Sequence, residues 1–319
     1  MDAIAGLLNG PRARDAFLLR SRMSPPWSLR IQDEAPLTVV AVVRGWAWLQ
    51  AGRASRRIGG GDIAILRGPA PYTVADAPDR PAQAVILPGQ RCTGPDGTEQ
   101  AVMGPLGVRS WGNDPAGDTE MLTGTDQVNR EVSQRLLRAL PRLLVLRDDE
   151  WDSPLVGLLA AEIGKDEPGQ EAVLDRLLDL LVIAVLRAWF ARPDAHAPGW
   201  YRAYRDPVVG HALRLMHHNP AHPWTLAELA HEVGLSRAAL ARRFHELVGE
   251  PPMSFLTGWR IALAADLLRE PQATLGAVAR QVGYASPYAL SIAFKRHRGV
   301  SPREYLAGIS SREKTTTGR

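Results

Sequence analysis

The sequence predicts a two-domain chain: an N-terminal β-barrel followed by helices over residues 1–200, then an all-α domain over residues 206–306. Three observations predict it. Residues 36–125 are rich in Gly, Pro and Val and hold short apolar runs between turn residues, the pattern of an all-β sandwich or barrel. From Ser133 onward apolar residues recur at helical spacing. Beyond residue 206 the sequence repeats itself after about 50 residues, so one helical unit occurs twice.

The 319 residues, 45% of them hydrophobic, suffice for two domains with ordinary cores. No run of eighteen apolar residues occurs, and Met1–Leu8 is too short, and too soon followed by Pro11, Arg12 and Arg14, for a secretion signal. A cytoplasmic location is expected. The single cysteine, Cys92, excludes a disulfide framework and a multi-cysteine zinc site. Residues 205–319 hold 15 Lys and Arg against 9 Asp and Glu, whereas the remainder holds 23 against 25. The basic surplus sits in the C-terminal third, as a phosphate-binding face requires.

Taken in order, Thr38–Val43, Ala47–Leu49, Asp62–Leu66, Tyr72–Val74 and Ala82–Leu87 read as strands, separated by Gly59-Gly60-Gly61, Gly68-Pro69 and Pro78-Asp79. Residues 94–118, dense in Gly, Pro and Asp, read as an irregular loop. Leu136, Leu137, Leu140, Leu143 and Leu144 recur near helical spacing, with Pro141 interrupting. Leu174, Leu177, Leu178, Leu181, Val182, Val185 and Leu186 form an amphipathic stripe, suited to packing on the barrel or to pairing with a second copy. Pro193, Pro198, Gly199 and Pro207 mark a domain boundary. Helices then follow at Val208–His218, Thr225–Val233, Ser236–Val248, Pro252–Arg269, Thr274–Val282 and Ser286–Arg298, with a short turn at Pro302–Leu306 and a disordered tail over 307–319. Thr225 and Glu228 have capping-box spacing.

The repeat carries the functional reading. Leu226, Ala230, Val233 and Gly234 match Leu275, Ala279, Val282 and Gly283 at an offset of 49. One inserted residue later, Ser236, Leu240, Phe244, Gly249, Pro252 and Leu256 match Ser286, Leu290, Phe294, Gly299, Pro302 and Leu306 at an offset of 50, and Phe255 matches Tyr305. Small Ala230 and Ala279 suit a close helix crossing. Gly234 and Gly283 suit a left-handed turn, and Ser236 and Ser286 can cap the next helix. Together these features make two tandem helix-turn-helix units, 225–248 and 274–298, whose second helices suit the major groove. The intervening helix, about 27 Å long at 1.5 Å per residue, holds the two recognition helices about one DNA turn apart.

These residues resemble the DNA-binding domain of the AraC/XylS family of bacterial regulators. The carriers are WTLAELAHEVGLSRAALARRF (224–244), WRIALAADLLR (259–269) and VARQVGYASPYALSIAFKRHRGVSPREYL (278–306). The N-terminal residues resemble the cupin-type domain of one subgroup, through SPPWSLRI (24–31), GGDIAILRG (60–68), LLRALPRLLVL (136–146), LDRLLDLLVIAVLRAWF (174–190) and PGWYRAYRDP (198–207). The resemblance implies a dimeric transcription activator that binds double-stranded DNA, meets RNA polymerase and senses a small-molecule or redox signal through its cupin-like domain. It needs no metal or cofactor and is not an enzyme. A regulator that binds DNA without any ligand, its β domain a scaffold for dimerisation, is the alternative.

The first recognition helix offers Ser236, Arg237, Ala238, Ala241, Arg242, Arg243 and His245 to DNA. By resemblance Arg242 stands where family members place a base-reading arginine; phosphate contact is its other reading. Arg237 and Arg243 read as phosphate contacts or plain surface residues. The second helix offers Ser286, Pro287, Tyr288, Ala289, Ser291, Ile292, Lys295, Arg296 and Arg298. Ile292 replaces the arginine of the first unit and cannot hydrogen-bond a base, though it can touch a thymine methyl, so this half is expected either to read sequence weakly or mainly to position the protein on the backbone. The helix beginning at Pro302 would offer its N-terminus to a phosphate.

Trp27, Trp46, Trp48, Tyr72 and Trp111 are candidates for an effector pocket or for barrel core. The first 195 residues contain no histidine, which argues against a metal-dependent cupin enzyme, and His217, His218 and His222 read as surface residues at a helix end. Cys92, expected in an exposed loop with Arg91 lowering its thiol pKa, is a weak candidate for redox sensing. Fusion to a DNA-repair methyltransferase, which needs several cysteines, is excluded.

Overall fold

The structure, a computed structural model, describes residues 17–98, 103–126, 137–151, 153–192, 195 and 197–317. Two units divide the chain, one dominated by strands and one by helices.

The strands are β1 (Phe17–Met23), β2 (Ser28–Ile31), β3 (Leu37–Arg44), β4 (Trp46–Ala51), β5 (Ala54–Gly59), β6 (Ile63–Arg67), β7 (Tyr72–Ala75), β8 (Ala84–Leu87), β9 (Arg91–Thr93), β10 (Gly104–Gly107), β11 (Ser110–Gly112), β12 (Thr119–Asp126) and β13 (Leu143–Leu146). One sheet has the order β10-β11-β1-β12-β3-β6-β13, the other β5-β4-β7-β2-β8-β9. Their inner faces enclose one core containing Trp27, Leu29, Val40, Leu49, Leu66 and Val74. This is the predicted two-sheet β-barrel.

The two sheets differ in what covers them, and the sequence pattern follows. In β3 six consecutive residues are buried, because helices cover the outer face of its sheet. Those helices are α1 (Leu155–Glu162) and α2 (Gln170–Ala191). Gly124 of β12 lies under Leu178 of α2, and a Cβ there would come within 2.6 Å of it. The α2 stripe from Leu174 to Phe190 is therefore spent on its own sheet, which corrects its reading as a pairing surface. In β4, by contrast, Ala47, Leu49 and Ala51 are buried while Trp46, Trp48 and Gln50 are not, because that sheet's outer face is open.

Two further expectations are corrected. Residues 104–107 and 110–112, expected in a loop, are edge strands; β11 runs parallel to β1 and antiparallel to β10. Leu143 and Leu144, expected in a helix, belong to β13, paired with β6 from Leu143↔Leu66 to Leu146↔Ile63; Leu136 lies outside the described residues. Asp62 fastens the β5–β6 turn. Its carboxylate accepts from the Gly59 N–H at 2.8 Å, the Arg147 Nη1 at 2.7 Å and the Asp148 N–H at 3.0 Å.

The helical unit contains α3 (Gly199–Ala203), α4 (Val209–His218), α5 (Leu226–Glu232), α6 (Arg237–Val248), α7 (Pro252–Leu267), α8 (Leu275–Gln281), α9 (Pro287–Arg298) and α10 (Pro302–Thr317). The expected tail is helical as far as Thr317; no proline follows Pro302, and Glu304, Leu306, Ala307, Arg312 and Glu313 are good helix formers. Two cores form, one per repeat. Met216, Leu229, Leu240 and Phe244 close the first with Phe255 and Leu256, and Val278, Val282, Leu290 and Phe294 close the second with Ile261, Ala264 and Ala265. Helix α7 supplies both cores, so its 16 residues, about 24 Å, link the two halves as a rod.

Candidate nucleic-acid interface and effector cavity

The repeat reappears atom by atom. Thr225 and Thr274 cap α5 and α8 by accepting N–H bonds from Glu228 at 3.1 Å and Ala277 at 3.2 Å. Ser236 and Ser286 cap α6 and α9 from Ala239 at 3.2 Å and Ala289 at 3.1 Å. After α5 the Leu235 N–H bonds the Ala230 carbonyl at 2.9 Å, and after α8 the Tyr284 N–H bonds the Ala279 carbonyl at 2.8 Å. Phe244 meets Phe255 edge-on at 5.8 Å, and Phe294 meets Tyr305 at 5.5 Å. Each pair of helices thus holds its second helix at a set angle with one face outward.

On α6, Leu240 and Phe244 are fully buried, while Ser236, Arg237, Ala238, Arg242 and His245 are exposed and Ala241 is half-buried. The Arg242 side chain is 77% exposed and makes a loose ion pair with Glu246 at 3.9 Å. Arg243 differs. It forms a forked pair with Asp206, at 2.7 Å from Nη2 and 3.2 Å from Nε, and holds that carboxyl below the usual carboxylate range. Arg243 is therefore a clamp between α6 and the start of α4, a correction to its place among phosphate ligands. The repeat carried a signal for this: Arg243 aligns with Ala293, which is buried.

On α9, Pro287, Tyr288, Ile292, Lys295 and Arg296 are exposed, while Ser286, Ala289 and Ser291 are half-buried. Tyr288 is 76% and Ile292 51% exposed, so this helix offers apolar and aromatic surface where α6 offers arginine. Arg298 is half-buried, its guanidinium 5.9 Å from the Tyr305 ring centre, and so is a packing residue as much as a phosphate ligand. The α10 N-terminus is filled from within: the Glu304 carboxylate accepts the Ser301 N–H at 2.7 Å and the Ser301 hydroxyl accepts the Glu304 N–H at 3.3 Å. That box occupies the position expected to take a DNA phosphate.

Arg260 of α7 was not singled out from sequence. Its guanidinium donates to the carbonyls of Pro220 at 2.7 Å and His222 at 2.6 Å and lies 6.0 Å from the Tyr284 ring centre. The segment before the first unit is thereby stapled to the turn of the second. His217 is also corrected: it packs against Trp259, Phe255 and Tyr204, and its Nδ1 pairs with the Tyr204 hydroxyl. His222 pairs with Glu228 at 2.7 Å. Among the described residues no group of three His, Cys, Asp or Glu could hold a metal ion, and no helix is long and apolar enough to cross a membrane.

Between the two sheets lies a cavity of about 180 Å³. Leu19, Leu29, Ile31, Ile86 and Trp111 make it apolar; Asp33, Tyr72, Gln90 and Thr125 give it one polar side. Burial pushes the Asp33 carboxyl above its ordinary value although the Ala35 N–H donates to it at 3.1 Å. Burial also pushes the Tyr72 phenol up. Among the described residues, the Thr125 hydroxyl and the Gln90 Nε2 are buried without a hydrogen bond of good geometry. Of the expected aromatics only Tyr72 and Trp111 line this cavity. Trp27 is core, and Trp46 and Trp48 stand on the outer face, Trp46 under the Arg57 guanidinium. Cys92 also lines it; it lies on β9 rather than in a loop, and burial raises its thiol pKa, opposite to the expected activation.

A family model described as cupin matches residues 2–191, and one described as a helix-turn-helix domain matches residues 229–308. An AraC-like transcription regulator described from Streptomyces lividans is 30% identical over 88% of this chain and 89% of its own length. The chain belongs to the AraC-like transcription regulators. It is a DNA-binding regulator with a cupin N-terminal domain and a helix-turn-helix C-terminal domain. A second AraC-like regulator, described from Streptomyces antibioticus, is 47% identical over 42% of this chain, which spans only 44% of that relative's length. Among solved structures, the DNA-binding domain of AdpA, a global transcriptional factor in complex with a target DNA, is 31% identical over 34% of this AraC-like chain and 96% of that one, with a TM-score of 0.31.

Proposed function

We propose that this regulator reads DNA sequence through α6 and grips the backbone through α9, under the control of a small molecule held in the barrel cavity. The reading rests on the contrast between Arg242 and its counterpart Ile292. Arg242 has the exposure and the donors for a bidentate guanine contact, worth about 1–3 kcal/mol of discrimination. Ser236, Arg237, Ala238, Ala241 and His245 surround it as helix-start and phosphate contacts. On α9, Ser286, Pro287, Tyr288, Ser291, Lys295 and Arg296 lie against the sugar-phosphate backbone, with Ile292 within reach of a thymine methyl.

The sensing half rests on the Thr125 hydroxyl, which has no partner among the described residues and lies on the polar side of a largely apolar cavity. A buried polar atom without a partner costs about 1–3 kcal/mol, and a ligand would recover it. A cavity near 150 Å³ holds a benzene-sized molecule, so the ligand is a compact, largely apolar molecule with one hydrogen-bonding group. The working unit is a cytoplasmic homodimer that activates transcription through RNA polymerase; exposed Leu158, Val173 and Leu180 on α1 and α2 support the pairing. The test is a melting-temperature screen of small aromatic amines, alcohols and phenols on the full chain and on Thr125→Val. A compound that stabilises the parent and loses its effect in the variant supports sensing. If none acts, the β domain is a scaffold and the regulator works without a ligand.

A further inference from the structure

The outer face of the second sheet carries a feature that the effector cavity does not explain. Arg30 of β2 is in register with Thr73 of β7, Thr73 with Gln50 of β4, and Gln50 with Ser55 of β5. Residues in register share a face, so these four polar side chains form a row across four adjacent strands. Their chain neighbours Leu29, Ile31, Tyr72, Val74 and Leu49 face the core. Strand alternation therefore sets the row back to back with the effector cavity, one residue away along the same strands.

The row floors an open cleft of about 450 Å³. Every charged residue lining it is an arginine, namely Arg30, Arg53 and Arg142, and no carboxylate lines it. Arg30 Nη1 donates to the Thr73 hydroxyl at 3.2 Å, leaving that hydroxyl's own proton for an acceptor. The Ser55 hydroxyl is buried and has no partner among the described residues. Gly52, at φ +64, gives Arg142 its place: a Cβ there would lie 2.8 Å from Arg142 Nη1. Three guanidinium groups and two hydroxyls thus line one cleft as donors, and among the described residues that line it no carboxylate balances their charge.

We propose that this cleft binds the phosphoryl group of a small phosphorylated metabolite. A phosphate monoester carries nearly two charges and three terminal oxygens, which three arginine forks can share. The cleft is far larger than one phosphate, and Ala54, Ala70 and Pro71 supply an apolar rim for the rest of the molecule. The site lies on the opposite face of the sheet from the effector cavity and stands whether or not that cavity binds a ligand.

The experiment titrates the full chain with pyrophosphate by calorimetry at constant ionic strength, with citrate as the carboxylate comparison. The DNA-binding helices also carry exposed arginines, so Arg242→Ala is the control. Saturable binding that is unchanged in Arg242→Ala and about tenfold weaker or worse in Arg53→Ala/Arg142→Ala, as loss of charge-assisted hydrogen bonds requires, supports the site. Arg53 and Arg142 are exposed, so that double variant keeps its fold; a melting curve matching the parent checks this, and Ser55→Val gives a second, uncharged test of the same floor. Equal binding in parent and double variant, or no saturable binding at millimolar pyrophosphate, overturns the site. Tighter binding of citrate overturns its assignment to a phosphoryl group.

Discussion

Gly234 and Gly283 hold the same position in the two repeats, yet the structure asks more of one than of the other. Both have positive φ, +69 and +82. Around Gly234 a Cβ would meet nothing, whereas at Gly283 it would lie 2.7 Å from the Ala221 carbonyl and 2.9 Å from Arg260 Nη2. Gly234→Ala should therefore cost only the left-handed strain, about 1–2 kcal/mol. Gly283→Ala should cost clearly more in urea unfolding, because it also opens the Arg260 staple; equal costs would mean the staple bears no strain. Asp33 gives a pH test. Its folded pKa is raised above 3.8, so its contribution is complete below that pH and is lost as pH rises through the raised value. Asp33→Asn should raise the melting temperature at pH 7 and lose that advantage below about pH 3.8. A variant less stable at pH 7 would show that the carboxylate is held charged by a partner.

At the scale of elements, the caps of α6 and α9 are geometrically alike, 3.2 and 3.1 Å. Ser236→Ala and Ser286→Ala should each cost about 1 kcal/mol in chemical denaturation; a cost confined to one would break the equivalence of the repeats. These helices were legible in the sequence because their signals are local: a cap, an apolar period and a glycine within a dozen residues. The strands were legible only where turns flank them. β1 escaped notice because its partners, β11 and β12, lie about a hundred residues away. β13 escaped because Leu143, Leu144 and Leu146 fit a helix period equally well until β6 is placed beside them. Among the candidate site residues, the exposure of Arg242 was legible from the helix face, whereas the pairing of Arg243 depended on Asp206, 37 residues away. The polar side of the cavity was hidden too, since Thr125 and Asp33 meet only when the sheets close.

On the scale of the whole molecule, the asymmetry between the two recognition helices is the central claim. One presents an exposed arginine with the donors to bond a base, the other an exposed tyrosine and isoleucine flanked by Lys295 and Arg296. Specificity and grip should then separate. The decisive measurement is a DNA-binding titration at several salt concentrations with fragments from around its own gene, comparing parent, Arg242→Ala and Lys295→Ala/Arg296→Ala. The account predicts that Arg242→Ala loses preference for its site over random DNA by roughly 5- to 150-fold with the salt slope little changed. The α9 double variant should weaken on all DNA alike with a shallower salt slope. Loss of site preference in the α9 variant, with Arg242→Ala indistinguishable from the parent, would contradict it.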